Sequence, residues 1–296
     1  MSKTLHFKTN TLLKNLIGKD LINDDNIGII ELVKNSYDAD SDHVLLKFEG
    51  SSSNHASKII VSDNGTGMSE EDIIDKWLNV AYSEKKFRSL ESGAFLAGNK
   101  GVGRFSCDRL GAILDMVTRT KNGDFLHLRI NWEDFEIEGD KDLTLQEIDV
   151  VLDIIDESKA YDLTGIVPKH QGTTLIISKL RSEWKRDKLI SLKRDLEKFI
   201  NPNQLFTDKK FEIEIDAEDF KEKDYSLKYH KQVNGVIKNL IFNNLKFKTT
   251  YIESKIDESG ELINTELFHD GESVFRLEEK NTSFTNLKNI QITLYF

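Results

Sequence analysis

The sequence predicts an α/β chain followed by the start of a second α/β domain. Segments of helical periodicity alternate with short β-branched runs as far as residue 200, and beyond that point the pattern changes to short β-type segments. Size agrees: 296 residues with 38% hydrophobic content can bury one large core or two ordinary ones.

The elements follow in order. Asn23-Asp24-Asp25-Asn26 supplies capping residues for a helix over Ile27–Tyr37. Val44–Phe48 and Lys58–Ser62 are β-branched or apolar and read as strands. Ser69-Glu-Glu-Asp72 is a capping-box pattern leading into a helix over Ile73–Asn79. Ala81–Lys100 is polar, carries Gly93 and Gly98, and reads as a long loop of the functional or disordered kind. Arg104–Leu110 reads as helix, and Ile113–Thr118, Phe125–Ile130 and Thr174–Ser178 as strands. Glu138–Ser158 is an acidic insertion to which the sequence assigns no role. Trp184–Ile200 forms an amphipathic helix that stops at Asn201-Pro202, because proline disfavours helix in the residue before it. Phe211–Ile215 and Ile290–Phe296 are β-type, which places a first domain at 1–204 and a second at 205–296.

Several classes are excluded. No apolar run approaches the roughly 20 residues that span a bilayer, and Met1–Asn10 lacks the apolar core of a secretion signal, so a cytoplasmic protein is expected. Cys107 is the single cysteine and permits no internal disulfide, and the seven histidines are too scattered for a metal cluster. The sequons at Asn64 and Asn281 would go unused in the cytosol. A net charge of −10 argues against a protein that coats nucleic acid; the basic run Lys179–Lys188 could touch a phosphate backbone locally, but a solvated helix face is the favoured reading.

Four short segments carry chemistry. Glu31, Asn35 and Asp38 stand at i, i+4 and i+7, hence on one helix face, while Leu32 and Val33 turn to the core. The amide oxygen of Asn35 is a hard ligand suited to Mg²⁺, and the Glu31 carboxylate can take a proton from water. Asp63 ends a strand and is followed by Gly65, Gly67 and Met68. With little backbone covering it, its carboxylate could accept a hydrogen bond from an exocyclic amine such as the adenine N6, although Asp-Asn-Gly is equally an ordinary turn. Gly98-Asn-Lys100-Gly101-Val102-Gly103 fails both familiar phosphate fingerprints: no Ser or Thr follows the lysine, and G-x-x-G-x-G reverses the dinucleotide spacing. It still leads into a helix, whose N–H groups favour phosphates. Lys100 adds a point charge. Thr173 places a hydroxyl at a strand start.

In order and spacing these segments resemble the GHKL ATPases, the superfamily of DNA gyrase B, the ninety-kilodalton heat-shock chaperones, histidine kinases and MutL, over roughly Ile27–Pro202. The pattern looks closest to the MutL, chaperone and microrchidia (MORC) branches. The resemblance implies a two-layer α/β sandwich, a mixed sheet with helices on one face. It implies ATP and Mg²⁺ as ligands, Glu31 as general base, Asn35 as metal ligand and Asp63 as the adenine-reading carboxylate. Asp38, Gly65, Gly67 and Met68 would complete the nucleotide boxes, with Thr173 in the adenine-side network. Ala81–Lys100 would be the ATP lid, opened by Ser83 and Lys85 and closed by Gly98 to Gly103. The transducer lysine or arginine of such ATPases has no recognisable counterpart after Leu205, and the end in Gln291-Ile-Thr-Leu-Tyr-Phe296 reads as a piece of a longer protein.

The resemblance leaves three functions. One is an ATP-hydrolysing switch that dimerises on nucleotide and drives a DNA-repair, DNA-remodelling or defence assembly through a DNA or protein effector. A histidine kinase is the second. It calls for a helical hairpin where only Met1–Asn26 precede the first box, and its boxes generally lack the base that Glu31 supplies. The third is a non-hydrolysing ATP sensor. No membrane role is expected.

Overall fold

The computed structural model describes residues 24–50, 58–79, 105–135, 149–200, 210–239 and 250–296. They fall into two compact units, one reaching Ile237 and the other running from Lys238 to Phe296.

In the first unit, helix α1 (Asp25–Asp38) starts at the expected cap, where the Asp24 carboxylate accepts the Asn26 N–H at 2.7 Å. Strands β1 (His43–Glu49) and β2 (Lys58–Asp63) follow and pair antiparallel. Ser69 and Asp72 form the expected box: the Ser69 N–H donates to Asp72 Oδ2 at 3.0 Å and the Asp72 N–H to Ser69 Oγ at 3.1 Å. The turn that follows, Asp72–Trp77, is π-helical. Next come α2 (Ser106–Leu110), β3 (Gly111–Arg119), β4 (Phe125–Asn131) and β5 (Val151–Ile155). Helix α3 (Glu157–Thr164), β6 (Gly172–Leu180), α4 (Arg186–Glu197), β7 (Glu212–Ala217), α5 (Lys221–Asp224) and β8 (Gly235–Val236) complete the unit.

The eight strands form one sheet in the order β5-β4-β3-β6-β2-β1-β7-β8. The β1–β7 pair is parallel while the others run antiparallel, so the sheet is mixed. Alternate residues point to opposite faces. On one face Leu46, Phe48, Val61, Met116 and Ile215 meet Ile29, Leu32 and Val33 of α1 and Leu189, Leu192 and Leu196 of α4. Each fully buried aliphatic side chain there contributes roughly 1.5–3 kcal/mol. Cys107 belongs to this core, and burial pushes its thiol up to about 12, which makes it a packing residue.

Two differences from the sequence reading have simple causes. The helices are not confined to one face: Ala160 of α3, with Leu163, packs on Ile60, Val117, Phe125 and Ile176 across the sheet. The second half of the acidic insertion thus becomes edge strand β5, paired with β4, and helix α3, capped by Asp156 accepting the Lys159 N–H at 2.8 Å. The first unit also runs past residue 204, because β7 joins β1. Two charged residues of α4 secure that extension. Arg186 donates to Asp224 at 2.6 Å, and buried Lys193 donates to the carbonyls of Tyr229 and Gln232 at 3.0 and 2.9 Å.

The second unit is a four-stranded antiparallel sheet, β11-β10-β9-β12, built from β9 (Thr250–Ile256), β10 (Leu262–His269), β11 (Glu272–Lys280) and β12 (Ile290–Tyr295). Among its described residues there is no helix, so the α/β character expected of a second domain is not met there. No described helix of either unit is long and apolar enough to cross a membrane.

Candidate functional site

The site is built around the end of β2. Asp63 emerges on the α1 face, and its carboxylate is only 8% exposed. Oδ1 accepts the N–H of Gly65 at 2.9 Å and of Thr173 at 3.1 Å, and Oδ2 accepts the Ser36 hydroxyl at 2.9 Å. Burial raises its pKa above the ordinary carboxylate value, an effect that these donors and the charge of Lys169 reduce without cancelling.

The glycines act differently from the sequence expectation. Instead of leaving the carboxylate uncovered, they let backbone close around it. Gly67 has φ of +67°, and a Cβ there would lie 1.9 Å from the Arg119 carbonyl oxygen. At Gly172, with φ of +133°, a Cβ would lie 2.3 Å from the Asp63 carbonyl oxygen. The start of β6 therefore crosses tightly over the end of β2 and delivers the Thr173 N–H.

Thr118, at the end of β3, ties the surrounding turn together. Its hydroxyl accepts the Met68 N–H at 3.0 Å and lies 2.9 Å from the Thr173 hydroxyl. The register that pairs Thr118 with Thr173 makes this contact, and sequence alone does not give register. Ser36 was also missed. Its signal was present, since it stands four residues after Leu32 on the buried stripe of α1.

Helix α1 carries the remaining candidates. Glu31, Asn35 and Asp38 lie along it at the spacing read from the sequence, and Ser36 links the same helix to Asp63. Glu31 is half-buried and paired with Lys34 at 2.7 Å. Asn35 is exposed, and Asp38 is the last helical residue. The structure thus brings Asp63, Gly65 and Thr173 together directly, and Gly67 and Met68 through the turn. Glu31 lies about 7.5 Å before Ser36 along the helix axis. Ser83, Lys85, Gly98, Lys100, Gly101, Val102 and Gly103 lie outside the described residues.

A second polar cluster sits at the opposite end of α1. Asp25, also 8% exposed, accepts Arg109 Nε of α2 at 2.8 Å, the Ser182 hydroxyl at 2.6 Å and the ammonium of Lys188. Burial opposes its ionisation, but Lys188, Ser182 and Arg109 together hold its pKa below the ordinary value. The basic run is accordingly not a plain solvated face. Lys188 packs over Trp184 at 4.1 Å, and Arg181 donates to fully buried Asp108 at 2.7 Å.

The donor set can be tested against the groups that the sequence implied. A buried carboxylate ringed by neutral donors keeps its charge available to an N–H of a ligand. Among the described residues no group of three or more His, Cys, Asp or Glu could hold a metal alone. A single amide oxygen such as that of Asn35 suits Mg²⁺, which keeps waters and takes most of its protein-bound coordination from substrate phosphates. The residues fit a metal that arrives with a nucleotide. In comparison with known proteins, residues 24–161 match the family model described as histidine kinase-, DNA gyrase B-, and HSP90-like ATPase. No curated protein matches the chain.

Proposed function

From the match of residues 24–161 to that ATPase family model, we propose that the chain is a Mg²⁺-dependent ATP-binding and hydrolysing switch. The observation that carries the proposal is the Asp63 carboxylate, buried at the end of β2 and oriented by Gly65, Thr173 and Ser36. In this role it accepts the adenine amine. Glu31 takes a proton from water as the water oxygen bonds to the γ-phosphorus, and the bond from phosphorus to the bridging oxygen breaks with release of ADP. Mg²⁺ held by Asn35 and the phosphates would neutralise the charge that develops there. Gly98 to Gly103, with Lys100, would bind the phosphates, and Ser83 and Lys85 would belong to the lid. Dimerisation on nucleotide, a DNA or protein effector and a transducer-like role for the second unit, from Lys238, complete the proposal.

One observation favours a second reading, the non-hydrolysing sensor. Glu31 is held by Lys34 at 2.7 Å, so one of its carboxylate oxygens is already engaged by an ammonium instead of facing a water. Steady-state phosphate release and calorimetric ATP binding with Mg²⁺ decide between the two. Binding with turnover supports the ATPase, binding without turnover the sensor, and no binding refutes both.

A further inference from the structure

We propose that Asp25 is a positioning residue, which sets helix α1, and with it Asn35 and Glu31, against helix α2. The inference rests on the ATP reading of the site, since it concerns how the metal-binding and basic residues of that site are held.

The first turn of α1 is fixed from two sides. From α2, Arg109 donates to Asp25 Oδ1 at 2.8 Å. From the segment that opens α4, Ser182 donates to Oδ2 at 2.6 Å, and Lys188 bonds the same oxygen. The neighbouring residue repeats the tie to α4, with Asn26 Nδ2 donating to Asp195 Oδ2 at 3.1 Å. One turn further on, α1 touches α2 again: a Cβ on Gly28 would lie 3.5 Å from Leu110. The carboxylate is therefore a junction of three segments at the root of the helix.

That position gives it leverage. Asn35 lies ten residues beyond Asp25, about 15 Å along the axis, so a tilt of roughly 5° at the root moves it by about 1 Å. Displacements of this size are enough to cost up to about 10²-fold in a reaction that depends on positioning. In sequence α2 follows directly on Gly98 to Gly103, so the Asp25–Arg109 pair joins the helix of the metal ligand to the helix that continues from the phosphate-loop candidate. Asp25 itself touches neither Glu31 nor Asp63 in any bond of the cluster, and its effect is transmitted through α1.

A purely structural ion pair would lower thermal stability and leave the properties of the folded molecule alone. The distinguishing readout is the gain in ATP affinity produced by Mg²⁺, measured by calorimetry on the full chain with Mg²⁺ and with EDTA. Asp25→Asn keeps the shape and removes the charge, and Arg109→Gln removes only the α2 contact from a side chain that is partly exposed. Each is expected to lower the Mg²⁺ gain by about tenfold while leaving Mg²⁺-free affinity within about twofold. Should Asp25→Asn fail to fold, Arg109→Gln carries the test. A wild-type Mg²⁺ gain in a folded variant overturns the positioning role while the ATP reading stands. Wild-type protein that binds no ATP overturns that reading and this inference together.

Discussion

At the root of α1, Asp25 is buried among two cations and a hydroxyl. Near the other end of the same helix, Asp63 is buried among two backbone N–H groups and a hydroxyl. Both residues are 8% exposed, yet the pKa of Asp25 is lowered and that of Asp63, which lies deeper among protein atoms, is raised. Burial opposes both charges, more strongly at Asp63, and at Asp25 the partners outweigh it. Cations neutralise Asp25 and make it a structural joint. Neutral donors orient Asp63, and together with the charge of Lys169 they offset its burial only in part. The comparison separates a carboxylate tied to neighbouring cations from one oriented by neutral donors at the candidate site, and both depth and partners enter the difference.

Glu31 lies between them on the helix and provides the largest expected effect. It is half-buried with a single lysine partner, an arrangement intermediate between the two. If it is the general base, Glu31→Ala lowers phosphate release by about 10² to 10⁴ and leaves ATP affinity nearly unchanged. Equal turnover in the mutant, measured at saturating ATP, removes the base assignment and leaves Asp63, at the end of β2, as the carboxylate assigned a role in the site.

Next in size is the backbone that shapes the Asp63 end. Gly67→Ala forces a Cβ against the Arg119 carbonyl at a positive φ, and a loss of stability on the order of 3 kcal/mol is expected. Denaturant unfolding measures it directly. A change below about 0.5 kcal/mol, the usual effect of an indifferent surface substitution, would mean that the turn has room to move and that the enclosure of Asp63 is looser than its geometry implies.

Asp63→Asn follows. It keeps the shape but gives up the charged acceptor, and ATP affinity should fall by roughly 1.5–3 kcal/mol, or about 10- to 150-fold, by calorimetry. Undiminished affinity would sink the adenine role. It would also reduce Asp63 to a second structural joint, and the comparison with Asp25 would lose its functional half.

How much of this was legible in the sequence differs between the two ends of the helix. The triple Glu31, Asn35 and Asp38 could be placed on one face because helical periodicity is a local property. Asp63 could be placed at a strand end because β2 is a compact apolar run closed by glycine turn chemistry. The partners that give each carboxylate its character could not be read. Thr173 and Thr118 meet through strand register, and Lys188 and Ser182 reach Asp25 from more than 150 positions away in the chain. The same limit hid β5, whose apolar side chains stand within an acidic segment and make sense only when paired with β4. It also hid the place of β7: Phe211–Ile215 reads as β-type in the sequence, but only its parallel pairing with β1 puts it in the first unit, past residue 204.

The smallest expected effect is the most direct test of the comparison, because it concerns a sign. Asp25 has a depressed pKa in the folded state, so its stabilising contribution is present above the ordinary carboxylate value and is lost as pH falls through the folded value. Asp63 has a raised pKa, so the stability linked to it is present below the ordinary value and is lost as pH rises through the folded one. Asparagine stands in for the protonated form at each position. The deficit of Asp25→Asn relative to wild type should therefore shrink as pH is lowered from 7 towards 3, while Asp63→Asn should gain on wild type as pH is raised from 3 towards 7. Thermal midpoints of the three proteins without nucleotide, taken across that range, measure both trends. Two differences of the same sign would mean that burial alone governs these groups, and that the partners at the two ends of α1 do not set the roles assigned to them.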